Sequence, residues 1–318
     1  MLAAPNLTTP IKLCGCGSGR GSPLLHGNRI IRSGPFLHEM WLLVASSADE
    51  ASLLQRESLL RLAEWTEIGR VGTLPILRHD RFALVTIPDL HLYHDRIDHE
   101  AVVALSGRPD VVVFLSKHRS ESRTPSLTVH PIGNISEAQF GGQPQQLVPA
   151  AAQPMTDTLR AIRREARGLP YAVTFEATHH GPYLESPAFF IEAGSTEVEW
   201  RDSRAAEALM RALISVPGRE TLTGIGVGGG HYVPRITDVA FARDVAFGHL
   251  VPEYALATLR DEMVDQLIAK TPGASFAYFH RKSIEKATLR RLEGMFESRG
   301  LRSVHEDELP LLPPEQRY

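Results

Sequence analysis

The chain has 318 residues, 43% of them hydrophobic and 22% charged, with a net charge of −3. That is the composition of a globular protein with an ample core, and no apolar run is long enough to span a bilayer. Lys12, Arg20, Arg29 and Arg32 place +4 on the first 38 residues, which hold no acid, so residues 39–318 carry −7; this excludes a general nucleic-acid coat protein and requires a local basic patch for any polyanion.

Both cysteines, Cys14 and Cys16, lie in the leader. The body therefore has no disulfide framework, thiolate zinc site or Cys nucleophile, and a metal there needs His, Asp or Glu ligands. Residues 1–39 are rich in Gly, Pro, Ser and Arg without periodicity. They are expected to be a disordered, non-catalytic leader, either transit-like or the product of a mis-assigned upstream start. Cys14-Gly-Cys16 is too closely spaced to form a zinc knuckle alone. A cytoplasmic monomer is expected, with organellar targeting by residues 1–39 as the alternative.

From Met40 strands and helices alternate. Apolar runs predict strands at Trp41–Ala45, Phe82–Ile87, Val111–Leu115 and Leu127–His130, with a helix ending near Trp65. Thr156 reads as the N-cap of a helix ending at Gly168. Further strands are expected at Tyr171–Phe175, Ala188–Ile191, Leu222–Val227, Ala246–Val251 and Ser275–Phe279. Helices are expected at about Ser203–Ile214, Tyr254–Lys270 and Ser283–Ser298. This alternation predicts an α/β fold, a mainly parallel or mixed twisted sheet flanked by helices, in one domain over residues 40–318.

Four proton-carrying or metal-binding side chains, Glu176, His179, His180 and Glu192, fall at the ends of two apolar runs, which marks the chemical centre. Adjacent histidines on extended backbone point to opposite faces, so at most one is expected to aim at a shared centre. Lys117, His118 and Arg119 follow a strand and suit an anionic ligand. Gly133 and Asn134 after His130, and the pair Gly141-Gly142, permit close backbone approach to a ligand, with turn chemistry as the alternative. Gly194, Ser195 and Thr196 offer N–H and hydroxyl donors to an anionic oxygen, if Asp202 or Ser203 caps the helix that follows. Ser195 lacks the Gly-x-Ser-x-Gly elbow of a nucleophile.

Gly224-Ile-Gly-Val-Gly-Gly-Gly-His-Tyr232 imitates a dinucleotide fingerprint, but Pro234 prevents a helix from opening at the last glycine. No nicotinamide cofactor is expected. The loop reads instead as bare amides of Gly228, Gly229 and Gly230 brought to a substrate, with His231 at the end. His249 is a cleft residue or a core histidine. Arg160, Arg163, Arg164 and Arg167 form a helical stripe, and Arg281, Lys282, Lys286 and Arg290 form another. Such stripes are usually solvated faces; around an acidic body they are candidate phosphate footholds for a structured RNA.

Leu127-Thr-Val-His-Pro-Ile-Gly-Asn134, Glu176-Ala-Thr-His-His-Gly-Pro182, Phe190-Ile-Glu-Ala-Gly-Ser-Thr-Glu197 with Trp200, Gly228-Gly-Gly-His-Tyr232 with Pro234, and Gly248-His249 with Tyr254 together closely resemble the archaeal- and plant-type D-aminoacyl-tRNA deacylases. The similarity runs from about Met40 past Phe279; the leader has no counterpart, and Ala193 stands where the family carries Ile. The resemblance implies a phosphorylase/hydrolase-like fold related to peptidyl-tRNA hydrolase, hydrolysis of the ester of D-aminoacyl-tRNA, and zinc. On this reading His179 or His180 activates water or binds zinc with Glu192 and His231, and Glu176 or Glu192 orients an imidazole. Lys117, His118, His130, Gly133, Asn134, Gly194, Ser195, Thr196, Gly228–Gly230, Tyr232 and His249 would line the substrate site. The basic stripes would hold the acceptor end of tRNA. A small-molecule zinc or nucleosidase-like hydrolase and a non-catalytic tRNA-binding protein are the competing readings.

Overall fold

The computed structural model describes residues 39–316. The leader, with Cys14, Cys16 and the disorder or targeting expected there, lies outside them. Strands are β1 (Trp41–Ser46), β2 (Thr66–Val71), β3 (Leu74–His79), β4 (Phe82–Ile87), β5 (Val111–Lys117), β6 (Ser126–Pro131), β7 (Ala172–Phe175), β8 (Ala188–Gly194), β9 (Leu222–Val227), β10 (Val245–Val251), β11 (Ala274–Phe279) and β12 (Arg302–Val304). Helices are α1 (Glu50–Leu62), α2 (Ile97–Glu100), α3 (Val102–Leu105), α4 (Ala152–Glu165), α5 (Glu197–Trp200), α6 (Ser203–Ile214), α7 (Pro234–Ala242), α8 (Asp261–Ala269) and α9 (Lys286–Glu297).

The predicted α/β alternation is present, but it builds two sheets. The larger runs β2-β3-β4-β1-β5-β8-β6-β7 and the smaller β10-β9-β11-β12. β1 and β8 are buried along their whole length and β5 in all but its last residue, as expected of strands covered on both faces. Pairing is parallel through β4, β1, β5 and β8, then reverses: β6 is antiparallel to β8 and parallel to β7. The smaller sheet is parallel throughout.

Several elements differ from the sequence expectation for local reasons. The hairpin β2–β3 carries no strand signal in sequence, because β2 is polar and mostly exposed and so lacks the apolar alternation of a half-buried strand. Thr156 lies inside α4, where its hydroxyl accepts the Phe247 amide at 3.0 Å rather than capping the helix. Pro234 opens α7 at its first position, where a missing N–H costs nothing. The span expected as one helix from Tyr254 to Lys270 divides into a 3₁₀ turn, Glu253–Thr258, and α8.

The sheets meet along the segment that follows β7. The Ala177 amide donates to the His231 carbonyl at 2.8 Å, and the Thr178 amide to the Leu250 carbonyl at 2.8 Å. One hydrophobic core runs through both sheets by way of α4 and α6, including Phe175, Phe189, Phe247 and Phe276. The stretch Glu176–Gly181 is thus stitched to β6 on one side and to the glycine loop on the other.

Candidate active site

The antiparallel β6–β8 register sets His130 opposite Phe190 and Glu192 opposite Thr128. His130 and Glu192 are therefore diagonal neighbours on one face; Nε2 of His130 lies 3.7 Å from Glu192 Oε1, and its ring stacks on Phe190 at 5.0 Å. His118, just past β5, inserts its Nδ1 between Glu176 (3.1 Å) and Glu192 (3.5 Å), while Nε2 meets the Tyr232 hydroxyl at 2.7 Å. Gly194 makes room for it, because a Cβ there would stand 2.6 Å from the His118 Cβ.

Burial opposes charge on every one of these groups. For His118 the two carboxylates outweigh it and lift the imidazole to about 11. Glu192, buried but facing His118 at 3.5 Å and His130 at 3.7 Å, is held down at about 2. Glu176 is likewise held well below the carboxylate range by His118 and His231. Glu192 also raises His130. The result is a buried cluster in which two carboxylates face the imidazoles of His118 and His130.

His179 and His180 behave oppositely. Burial, and then the positive charge of His130, push both well below the ordinary imidazole value. The Nδ1 of His179 faces the Ala177 carbonyl at 2.8 Å and that of His180 the Gly181 carbonyl at 2.7 Å. Each Nδ1–H is thereby donated and each Nε2 keeps its lone pair, the form that ligates a metal or accepts a proton. Contrary to the divergence expected of adjacent side chains, both rings pack against His130, at 4.1 and 4.8 Å. The reason is local: His180 adopts φ +43°, so the segment is not extended there and the second ring swings to the same side. Gly181 permits the turn, since a Cβ would collide with the Gly142 backbone; the glycine pair thus serves loop-to-loop packing.

His231 completes the site. Its Nε2 donates to Glu176 Oε2 at 2.8 Å, and His179 Nε2 is 3.8 Å from the same oxygen. His179, His180 and His231 all line one cavity of about 410 Å³, together with Gly133 and Asn134. Gly133 donates its amide to the His180 carbonyl at 2.9 Å. The Asn134 side-chain amide donates to the carbonyls of Gly141 at 2.9 Å and Gln143 at 3.2 Å, which ties the glycine pair to the rim of the cavity.

Other expected contacts are corrected. His249 is a core residue: Nε2 meets the Val148 carbonyl at 3.0 Å, Nδ1 meets the Thr178 hydroxyl at 3.1 Å, and burial lowers it to about 3. It pins the residue before His179 and does not reach the cavity. The amides of Gly228 and Gly229 are consumed by the Val251 carbonyl (2.8 Å) and the Ser283 hydroxyl (2.9 Å), so neither is a free oxyanion donor; of the three glycines only Gly230 is exposed. Thr196 caps the unforeseen helix α5 in a capping box with Glu199, while Asp202 caps α6. The Ser195 hydroxyl donates to the Thr124 carbonyl at 2.7 Å, and Lys117 Nζ lies 5.0 Å over the Trp200 ring. Lys117, Ser195 and Thr196 are thus outside the histidine cavity, and the buried His118 and His130 stand behind it with the half-buried Tyr232.

The expected zinc set of His179, His180, Glu192 and His231 is also divided. Among the described residues, two groups of three place ligand atoms within 4.8 Å of one another: His130, His179 and His180, and His118, Glu176 and His231. Glu192 stands behind His118 and His130 because it projects from mid-sheet, not from the histidine loop. The donor chemistry of His179 and His180 fits zinc, and the buried His130 Nε2 has no hydrogen-bond partner; His130 would join on giving up the proton that Glu192 favours.

Arg160 is removed from the tRNA stripe. It is buried, paired with Asp157 at 3.0 Å and bonded to the carbonyls of Ala240, Arg243 and Val245. Arg163 lies 4.3 Å over the Phe241 ring, and Arg164 bonds Glu165 and Ser215. With Arg167 they stand where α4 hands over to β7, at the opposite end of that strand from Glu176. Lys282 and Lys286 are exposed, and Lys282 neighbours Ser283, whose hydroxyl holds the glycine loop.

A family model described as D-aminoacyl-tRNA deacylase matches residues 105–304. D-aminoacyl-tRNA deacylase of Picrophilus torridus is 36% identical over 74% of this chain and 88% of its own. Its namesake in Methanosarcina acetivorans is 36% identical over 84% and 92%, and that of Pyrococcus abyssi 35% over 70% and 84%. A crystal structure described as a conserved protein of unknown function, AF0625, superposes with a TM-score of 0.79 at 30% identity, covering 86% of this chain and 98% of that one. The chain therefore belongs to the D-aminoacyl-tRNA deacylase family, hydrolases that act on the ester bond of D-aminoacyl-tRNA.

Proposed function

We propose that this chain hydrolyses the ester of D-aminoacyl-tRNA with Glu176 and His231 as its proton-handling pair and His179 and His180 as its zinc ligands. The observation that carries the reading is the 2.8 Å bond from His231 Nε2 to a fully buried Glu176, beside two neutral imidazoles in the same cavity. Glu176 fixes His231 with its proton on Nε2 and leaves Nδ1 free. His231 Nδ1 takes a proton from water as that water attacks the ester carbonyl; the C–O bond to the ribose breaks, and the same nitrogen returns the proton to the ribose oxygen. The imidazolium formed in between is stabilised by the Glu176 charge. An aminoacyl ester is activated, so positioning and one base suffice without a covalent intermediate. Zinc, when bound, supplies a Lewis acid that polarises the carbonyl. His118, held positive between Glu176 and Glu192, keeps both carboxylates from taking up protons themselves.

Lys282 and Lys286, on the side of the glycine loop away from β10, meet phosphates of the acceptor end. The test is deacylation of D-Tyr-tRNA against L-Tyr-tRNA, with the zinc content of the purified protein measured in parallel. Selective D-ester hydrolysis, and about one zinc per chain that is lost in His179→Ala and His180→Ala, are expected. Equal rates on both substrates would sink the substrate reading, and metal-free active protein would sink the zinc assignment.

A further inference from the structure

Three aromatic side chains are strongly exposed among the described residues: Tyr93, Phe140 and Tyr254. Two of them, Phe140 (58% exposed) and Tyr254 (68%), line the cavity that holds His179, His180 and His231. Exposed rings carry a hydrophobic cost that a monomer normally avoids in a cluster. Their backbones are anchored to the two loops that bear the histidines. The Phe140 carbonyl accepts the Gly181 amide at 3.0 Å, next to His180. The residue before Tyr254, Glu253, donates its amide to the Gly229 carbonyl at 2.7 Å, two residues before His231. Both residues thus stand on backbone tied to the loops of the reacting groups, and both side chains are exposed.

We propose that Phe140 and Tyr254 form a stacking platform for the unpaired terminal base at the 3′ end of the substrate. This rests on the reading of the site as an aminoacyl ester hydrolase. The histidines are less exposed than the rings that share their cavity, which matches an ester with its nucleoside outward. Single-stranded nucleic acid is held largely by stacking on aromatic side chains, which tolerate solvent when empty and lose little entropy on binding. The nucleoside is also the part shared by every aminoacyl ester of tRNA, whereas the acyl side chain changes, so a fixed aromatic pair serves the constant half.

Steady-state hydrolysis of D-Tyr-tRNA and D-Ala-tRNA by Phe140→Ala and Tyr254→Ala tests this, with a free cytidine-cytidine-adenosine trinucleotide as competitor. Each variant should raise KM about tenfold, equally for both substrates, and weaken inhibition by the trinucleotide to match, while Tyr254→Trp restores both. Because the rings are exposed, thermal melting should match the wild type. An unchanged KM, a rise confined to the D-Tyr substrate, a loss in kcat alone, or a wild type indifferent to the trinucleotide would overturn the proposal. Failure of the underlying reading shows separately, as absent D-ester hydrolysis by the wild type.

Discussion

Glu176 Oε2 accepts from His231 Nε2 at 2.8 Å, while Oε1 of the same carboxylate lies 3.1 Å from His118 Nδ1. One fully buried acid therefore joins a half-exposed histidine in the cavity to a buried, charged histidine behind it. A carboxylate desolvated to this degree persists only because both partners compensate it.

Glu176→Gln removes that compensation for His118 and leaves a buried cation facing Glu192 alone. We expect a loss of about 3 kcal/mol in stability, read from urea unfolding, with turnover lost as well. A variant as stable as the wild type would show that the carboxylate is not the hub of the cluster.

His231→Ala should lower kcat by about 10²- to 10⁴-fold, the range of a single general base. Its side chain is 37% exposed, but it is one of the two partners of the buried Glu176, so the melting temperature should fall as well and kcat is to be compared where the variant is folded. A loss confined to KM would assign His231 to binding instead.

Acid should destabilise the fold through His249. Burial keeps it neutral down to about pH 3, whereas the unfolded chain protonates it near 6.5. The unfolded state then binds more protons, so stability falls as pH drops from 6.5 towards 3, approaching about 1.4 kcal/mol per pH unit for this group. Urea titrations across that window should show the slope, and His249→Asn should flatten it.

Gly181→Ala drives a Cβ into the Gly142 backbone. Overpacking of this kind costs about 1–3 kcal/mol, and here the yielding part is the turn that presents His180. Calorimetry should show the loss in stability together with reduced zinc retention; an unaffected protein would mean the two loops separate freely.

Arg160→Met and Lys282→Glu should separate structure from substrate binding. The first breaks the buried hydrogen bonds to Asp157 and to the Ala240, Arg243 and Val245 carbonyls, and should lower the melting temperature with KM unchanged. The second should leave melting alone, raise KM and reduce the salt dependence of binding by about 0.7 in log–log slope, the share of one phosphate on a single strand. Reversal of the two patterns would return the stripe on α4 to the substrate.

Local pattern was enough to read the α/β class, most strand positions and the gathering of Glu176, His179, His180 and Glu192 in one region, since apolar runs and clustered titratable groups are properties of neighbouring residues. Resemblance supplied the family. The division of labour inside the cluster was set only by the fold. Whether Glu192 reaches the histidine loop depends on the reversal between β6 and β8, and whether both histidines face one way depends on the left-handed φ of His180. Whether Arg160 meets solvent or core carbonyls, and whether Gly228 and Gly229 have amides to spare, depends on partners far along the chain, such as Val245 and Ser283. Sequence periodicity reports which face of an element is apolar, but a hydrogen bond or ion pair is decided by where the chain returns, and that is a property of the tertiary structure alone.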